Sequence, residues 1–331
     1  MTASDHAAHL GRRVVVRYRR PAGSHPPLTD VVGVVTSVDD HAVTVEASAG
    51  PVTVRLADVV VMKTVPPPPV RRGRPHTAVS TLDLERLMAD GWRAVEEEWL
   101  GDWMLRASSG FTGRGNSVLP LGDPGSSMEA AVGHVEEWYT ARGLPSRFHL
   151  DLPPSGDAPD EPLGMVLVDR GYRVVTPTVV MTGASSDIDP LRDGASPVHV
   201  SASLSAEWLA AYAKQRPTMP GVTEQLLTGS PGQLFLSTSD RAGTLTAVAR
   251  MSVHPGWAGL QALWVEPELR GRGLGRTVVH AAGMLARQRR MTSMYLQVEA
   301  ESEAAIGLYE SEGFRPHHTY VYLVATAPAG D

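Results

Sequence analysis

Residues 265–280 read VEPELRGRGLGRTVVH: three glycines alternate with arginines behind an apolar run, and a helix-like pattern follows. The run LQALWV ends at Val265, EPELR makes a turn, and GRGLG opens the helix. Glycines at such a point let backbone N–H groups approach an anion closely, and the helix start adds a partial positive charge. Arg270, Arg272 and Arg276 supply full charges suited to diphosphate oxygens. Glycine in ordered helix costs about 1 kcal/mol relative to alanine, so something should offset these positions. The plainer alternative is a helix entry with solvated arginines. A Walker loop needs Gly-Lys followed by Ser or Thr, and Gly275-Arg276 lacks that lysine. A dinucleotide loop spaces its glycines G-x-G-x-x-G directly behind a strand, whereas here the spacing is G-x-G-x-G after a turn. ATP and NAD both fit poorly.

Other chemistries are narrowed by composition. The chain has 331 residues, enough for two or three domains, and no cysteine, which excludes disulfides, thiolate metal sites and a cysteine nucleophile. Its 12 histidines are scattered; only His317 and His318 are adjacent, and strand neighbours point to opposite faces, so no metal is expected. A net charge of −6 argues against a nucleic-acid partner. No run approaches a membrane span and the N-terminus carries charge where a signal peptide would be apolar, so the expected compartment is the cytoplasm. Nothing in the sequence sets an oligomeric state.

The elements that must position the loop fall into segments. Residues 1–65 alternate as short valine-rich strands separated by turn signals such as Asp39-Asp40 and Gly50-Pro51, which predicts a small closed all-β barrel. Residues 66–76, PPPPVRRGRPH, read as a stiff linker with a basic tail. Residues 1–75 carry ten basic and six acidic groups, so the barrel end is mildly basic. Residues 77–183 mix helix and strand: helix at TLDLERLMADGW, strands at GDWMLRAS and GNSVLPLG, helix at SMEAAVGHVEEWYTARG, strand at SRFHLDL, then helix, turn and strand to Gly183. Residues 184–197 read as a second linker, and residues 198–331 repeat the order of the preceding domain. LVDRGYRVVTPTVVM and LYESEGFRPHHTYVYL share helix, glycine, aromatic, arginine and strand; Leu121 to Gly171 spans 50 positions and Val265 to Gly313 spans 48. Duplication explains this better than chance.

The stretch V-x-P-x-x-R-G-R-G-L-G resembles the acetyl-CoA pyrophosphate motif of the GNAT N-acetyltransferase superfamily, with Arg270, Gly273 and Gly275 in the motif positions. LQVEAESEAAIGLYESEGF, roughly 25 residues further on, is similar to that superfamily's second signature. The layout resembles actinobacterial tandem-GNAT proteins with an SH3-like barrel in front, some described as histone-type acetyltransferases. The resemblance implies an α/β fold of tandem copies with mixed sheets flanked by helices, the catalytic copy at 198–331 and a degenerate one at 77–183. It implies acetyl-CoA as co-substrate, its pantetheine pairing with main chain at Leu263, Trp264 and Val265, and its diphosphate on Arg270, Gly271, Arg272, Gly273, Leu274, Gly275 and Arg276. In the first copy the corresponding loop is LGDPGSS, where Pro124 lacks an N–H and Asp123 repels phosphate, so it should not bind the cofactor in the usual way.

By the same resemblance Tyr309 is the acid for the departing thiolate, and Ser302 stands where an asparagine often touches the cofactor. A glutamate that serves as base in related enzymes is replaced by Gln297, which cannot accept a proton. Glu299, on the same strand face, is the substitute; otherwise water takes the proton. The acceptor wall of the family falls on Trp208, Tyr212 and Arg216, spaced along one helix face, where core packing explains the aromatics equally well. The expected function is direct acetyl transfer to an amine, a protein or peptide amine favoured. The alternatives are a small-molecule amine, as the tandem form also resembles mycothiol synthase, or a non-catalytic acyl-CoA-binding module.

Overall fold

The structure is a computed structural model that describes residues 9–21, 27–39, 41–47, 50–64, 75–152, 162–191 and 194–326. The chain divides into two compact units, Met1–Arg72 and Gly73–Asp331.

In the first unit, β1 (Arg13–Arg19), β2 (Leu28–Val38), β3 (Ala42–Ala47), β4 (Gly50–Arg55) and β5 (Val59–Thr64) form one antiparallel sheet in the order β4-β3-β2-β1-β5. Val31 and Val35 of β2 are buried while Val32 and Val34 face outward, the alternation of a sheet with one covered face. Val14, Val16, Val43, Val45, Val54 and Met62 complete that core. The sequence predicted a closed barrel; among the described residues β4 and β5 do not pair, so closure is not part of the observed register. Of the expected linker, residues 66–74 lie outside the described residues.

The second unit opens with α1 (Pro75–Ala78) and α2 (Thr81–Gly91). Ser80 caps α2 by accepting from Asp83 N at 3.1 Å, and Leu84, Met88 and Ala89 turn inward along one face. Then come β6 (Glu96–Leu100), β7 (Trp103–Ala107), β8 (Leu119–Pro120), α3 (Met128–Thr140), β9 (Arg147–Leu152), α4 (Pro162–Asp169) and β10 (Arg173–Ala184). The second half follows as β11 (His199–Ser201), α5 (Ala206–Ala213), α6 (Val222–Thr228), β12 (Leu234–Ser239), β13 (Leu245–His254), β14 (Trp257–Val265), α7 (Leu274–Gln288), β15 (Ser293–Glu299), α8 (Glu303–Ser311) and β16 (Arg315–Val324).

Pairing does not respect the boundary between the halves. One sheet runs β11-β12-β13-β14-β15-β10-β16-β9, and β6-β7-β8 form a second, with the bridge Val118–Phe148 between them. β10, from the first half, lies between β15 and β16, while β16 pairs with β9 of the first half. Each half thus lends its last strand to the other, and the order reads alike from both ends. The cores follow: Val321 and Leu323 of β16 pack with Trp103, Val135 and Phe148, and Met181 of β10 packs with Val278, Ala282 and Leu296. Each such buried side chain contributes about 1.5–3 kcal/mol, so the exchange welds the halves.

Several expectations are corrected. GNSVLPLG is not one strand: residues 114–116 form a single 3-10 turn and β8 keeps only Leu119 and Pro120. The cause is Asn116, whose side chain accepts from Ser108 N and Gly110 N and donates to Phe111 O and Thr112 O, holding the chain in a turn. The helix α6 was not expected, because Pro217, Pro220, Gly221 and Gly229 around it read as loop punctuation. The segment 184–197 is more than a tether: Ile188 is buried, and Arg287 Nη1 donates to Ser185 O and to Ile188 O, the latter at 2.9 Å. His317 and His318 do not point to opposite faces; their Nδ1 atoms stand 2.8 Å apart. The β10–β16 register shifts between Val180 and Met181, so β16 spends an extra residue at His317 as a bulge.

Candidate active site

β14 and β15 run parallel and pair from Trp257–Ser293 to Leu260–Leu296, where pairing stops although both strands continue. Ala262 has φ +53, an uncommon value for a residue with a side chain, and the β13–β14 register shifts nearby. The bulge turns the end of β14 away from β15 and leaves a wedge between them. Two cavities open there, of about 980 and about 450 Å³, and share Leu263, Ser302, Ala305 and Tyr309 on their walls.

The larger cavity meets the start of α7. Gly273 is the N-cap residue with φ +86 and makes no side-chain cap; Gly271 has φ +72. These left-handed positions favour glycine, and no neighbour crowds them. The first helical bond is Thr277 N to Gly273 O at 2.9 Å, so the amides of Leu274, Gly275 and Arg276 have no intrahelical acceptor. Gly275 is a close approach instead: a Cβ there would stand 3.3 Å from Leu308 of α8.

The predicted loop residues are not equivalent. Arg270, Gly271, Gly273, Gly275 and Arg276 line the larger cavity with Leu263, Trp264 and Val265. Arg270 Nε donates to Val265 O at 3.1 Å, tying the loop to the strand end. Arg276 Nε is already 2.6 Å from Glu312 Oε1, and His280 Nε2 lies 2.7 Å from the other oxygen of that buried carboxylate. Arg272 is exposed and lines neither cavity, and Leu274 turns into the core.

Tyr309 stands where the cavities meet. Its ring is buried against Phe314 at 6.0 Å, and its hydroxyl has no hydrogen-bond partner among the described residues. Burial pushes its pKa up to about 12, so the oxygen holds its proton at neutral pH and can donate. Ser302 begins α8 without capping it, leaving its hydroxyl on both cavity walls. Gln297 and Glu299 both line the smaller cavity. Gln297 Oε1 accepts from Tyr320 Oη at 2.8 Å and its Nε2 lies 3.1 Å from Met88 Sδ, so its amide is held in place. Glu299 is exposed and, among the described residues, is the one carboxylate on that wall.

The expected acceptor residues divide. Tyr212 and Arg216 line the smaller cavity, with burial raising the Tyr212 phenol above its usual value. Trp208 does not line it: it is buried, stacks on Tyr212 at 5.5 Å and donates to Leu236 O at 3.0 Å, a core role. Sequence reasoning missed much of the wall, including Trp92, Arg114 and Arg147 from the first half and Tyr320 and Tyr322 from the exchanged strand. No local pattern marks them; Arg147, Tyr320 and Tyr322 come together through the β9–β16 pairing.

The seam behind this wall is polar. Arg250, fully buried in β13, donates to Leu227 O at 2.7 Å and Gly91 O at 2.8 Å and to the Gln261 side chain, which fastens α2 to the sheet. Burial would raise the Glu85 carboxyl, but His149 and His318 outweigh it and hold it well below the usual range. His318 Nε2 is 2.8 Å and His149 Nε2 3.3 Å from Glu85 Oε1. Among the described residues Glu85, His149 and Asp151 are the group whose potential ligand atoms lie within 4.8 Å of one another. No helix among the described residues is long and apolar enough to cross a membrane.

A family model described as "Probable histone acetyltransferase Rv0428c C-terminal" matches residues 80–323, and one described as "Rv0428c N-terminal Sm-like domain" matches residues 8–63. The first unit is therefore similar to an Sm-like domain; the SH3-like description expected from sequence is not the one the match carries. The chain is 31% identical to "Probable histone acetyltransferase Rv0428c" of Mycobacterium tuberculosis over 97% of both chains. It is 30% identical to "Uncharacterized N-acetyltransferase YobR" of Bacillus subtilis over 73% of this chain and 97% of that one. In fold it is similar to a GCN5-related N-acetyltransferase from Kribbella flavida (TM-score 0.52, 16% identity, 73% of this chain and 93% of that one). It is similar to the same degree to a tandem GNAT protein from the clavulanic acid biosynthesis pathway (TM-score 0.52, 16% identity, 78% and 92%). With the wedge, the glycine-opened helix and matches over most of the second unit in hand, the chain belongs to the Rv0428c family and is a GNAT-type N-acetyltransferase.

Proposed function

We propose that the protein transfers the acetyl group of acetyl-CoA to an amine, directly and within one ternary complex. The observation that carries this reading is the meeting of two cavities at the unbonded hydroxyl of Tyr309, one of them opening on the uncapped mouth of α7. The donor takes the larger cavity. Its diphosphate rests on the free amides of α7 and on Arg270, which suits an anion at a helix start. Arg272 adds charge from the exposed side, and Arg276 acts through a guanidinium already shared with Glu312. The pantetheine arm lies in the wedge, along the main chain of Leu263–Val265 that β15 leaves unpaired.

The acceptor takes the smaller cavity, whose volume of about 450 Å³ suits a small molecule or the end of a peptide. Its neutral amine attacks the thioester carbonyl; a C–N bond forms and the C–S bond breaks. Glu299 or a water takes the proton the amine loses, and Gln297 orients rather than accepts. Tyr309 donates to the departing sulfur. The name of the Mycobacterium tuberculosis relative raises a histone as acceptor, but the charge of the cavity wall favours another class.

Tyr309→Phe tests the reading. The substitution keeps the ring packing and removes the donor, so kcat should fall about 100-fold while calorimetric affinity for acetyl-CoA stays the same. Unchanged turnover would remove Tyr309 from the chemistry. Acetyl-CoA binding with no transfer to any amine would make the protein a binding module.

A further inference from the structure

Several arginines elsewhere in the second unit are committed to carboxylates: Arg93 to Asp90, Arg142 to Glu96, Arg170 to Glu136 and Arg276 to Glu312. The wall of the smaller cavity differs. Arg114, Arg147 and Arg216 line it, none has an ion pair among the described residues, and Glu299 is the one carboxylate facing them. Two of their nitrogens, Arg114 Nη1 and Arg147 Nε, are shut off from solvent and have no acceptor among the described residues. Leaving buried guanidinium donors unbonded is costly, so such donors mark a place where something else supplies the acceptor atom.

The side chains are also held for that task. The Arg114 guanidinium carbon lies 4.9 Å from the centre of the Trp92 ring, and that of Arg147 lies 5.5 Å from Tyr322. An aromatic face orients a guanidinium while leaving its N–H edge for a planar anion. Between the two the chain passes through Gly113, where a Cβ would stand 3.0 Å from Tyr322 Cε2 and 3.1 Å from Arg147 Nη1. A side chain at this glycine would crowd the guanidinium.

We propose that the acceptor carries an anionic group, a carboxylate or a phosphate, seated on Arg114 and Arg147 with Arg216 at the exposed rim. Its amine then faces the end of the cavity formed by Glu299 and Tyr309. This deepens the reading of the site as an amine acetyltransferase and rests on it. The substrate class is an amino carboxylate or amino phosphate. A lysine-rich chain is the opposite case, bringing ammonium groups against three guanidiniums in a recess where water screens charge weakly. Because Arg114 and Arg147 belong to the first half, the half without the glycine-opened helix becomes the part that reads the acceptor.

The test pairs amines differing in the anion: an ω-amino carboxylate with its primary amide, and O-phosphoethanolamine with ethanolamine. Each is assayed and titrated in the presence of acetyl-CoA with wild type, Arg147→Gln, Arg147→Lys and Arg216→Glu, and acetyl-CoA affinity is measured for every variant as a check on folding. At least one anionic amine should exceed its neutral partner about tenfold or more in kcat/KM, and the two arms tell carboxylate from phosphate. Arg147→Gln should erase the preference, Arg147→Lys should restore part of it, and Arg216→Glu should shift it toward neutral amines, all with acetyl-CoA affinity retained. A neutral amine used as well as its anionic partner, or a preference that survives Arg147→Gln, overturns the proposal. So does wild type that binds acetyl-CoA yet neither acetylates nor binds any anionic amine in the panel. Failure to bind acetyl-CoA at all would take down the proposed function, and this inference with it.

Discussion

At the start of α3, Ser127 Oγ accepts from Ala130 N at 3.3 Å, and the loop before it folds back on itself. Asp123 Oδ1 takes Gly125 N at 2.8 Å, Asp102 Oδ2 takes Asp123 N at 3.3 Å, and Pro124 has no amide to offer. At the start of α7, Gly273 caps without a side chain and the first-turn amides open on the larger cavity. The two helices hold matching places: Met128 to Arg147 and Leu274 to Ser293 cover the same stretch from helix start to next strand. Counting back from Gly171 and Gly313, buried Leu167 stands where the second half has Tyr309. One helix start is capped by its own serine and preceded by a loop held by two carboxylates; the other has no side-chain cap and leaves its amides for a ligand. A helix N-terminus is an anion site only when the sequence refrains from capping it.

Three substitutions break or sharpen that contrast. The largest effect is expected from Gly273→Asp, which gives α7 the kind of cap and charge that α3 has. Asparagine and aspartate tolerate positive φ better than other side chains, so Gly273→Asn serves as the uncharged control. Acetyl-CoA affinity should fall about 100-fold for the aspartate, about 2.7 kcal/mol, and much less for the asparagine. Equal losses would mean that backbone shape, not an open anion site, is what matters.

An intermediate effect concerns the seam that the exchanged strands create. Glu85→Gln removes the carboxylate shared by His149 and His318 and should cost about 2 kcal/mol of stability in denaturant melts. The folded carboxyl sits below its ordinary value of 4.5, so its contribution is fully present above about pH 4.5 and fades as pH falls through the folded value. The gap between wild type and variant should therefore narrow on acidification below about pH 4.5. A gap that widens in acid would reverse the assignment of the charge.

Much of this contrast is legible in the sequence. The glycine spacing, the proline and aspartates of the first loop and the repeat itself are local signals, and the elements that carry them fold where periodicity places them. The exchange of β10 and β16 is not, because nothing in either strand's pattern names its partner. For the same reason Arg114 and Arg147 look like ordinary turn and strand residues until β9 and β16 pair. Trp208 and Tyr212 share a helix face, yet one is core and the other cavity wall, a distinction periodicity does not make. The bulge at His317 reverses the expected facing of two histidines because one extra residue shifts the alternation.

The smallest effect is expected from Ser127→Ala. It should destabilise the second unit by about 1 kcal/mol and leave acetyl-CoA affinity untouched, since the α3 start serves the fold alone. A change in affinity would give the first helix start a share in binding.

The most direct measurement is a crystal structure of the protein soaked or grown with acetyl-CoA. The account predicts density with the diphosphate on the amides of residues 271–276 and the thioester sulfur within hydrogen-bonding reach of Tyr309 Oη. Density at the α3 start, or elsewhere away from the wedge between β14 and β15, would contradict it.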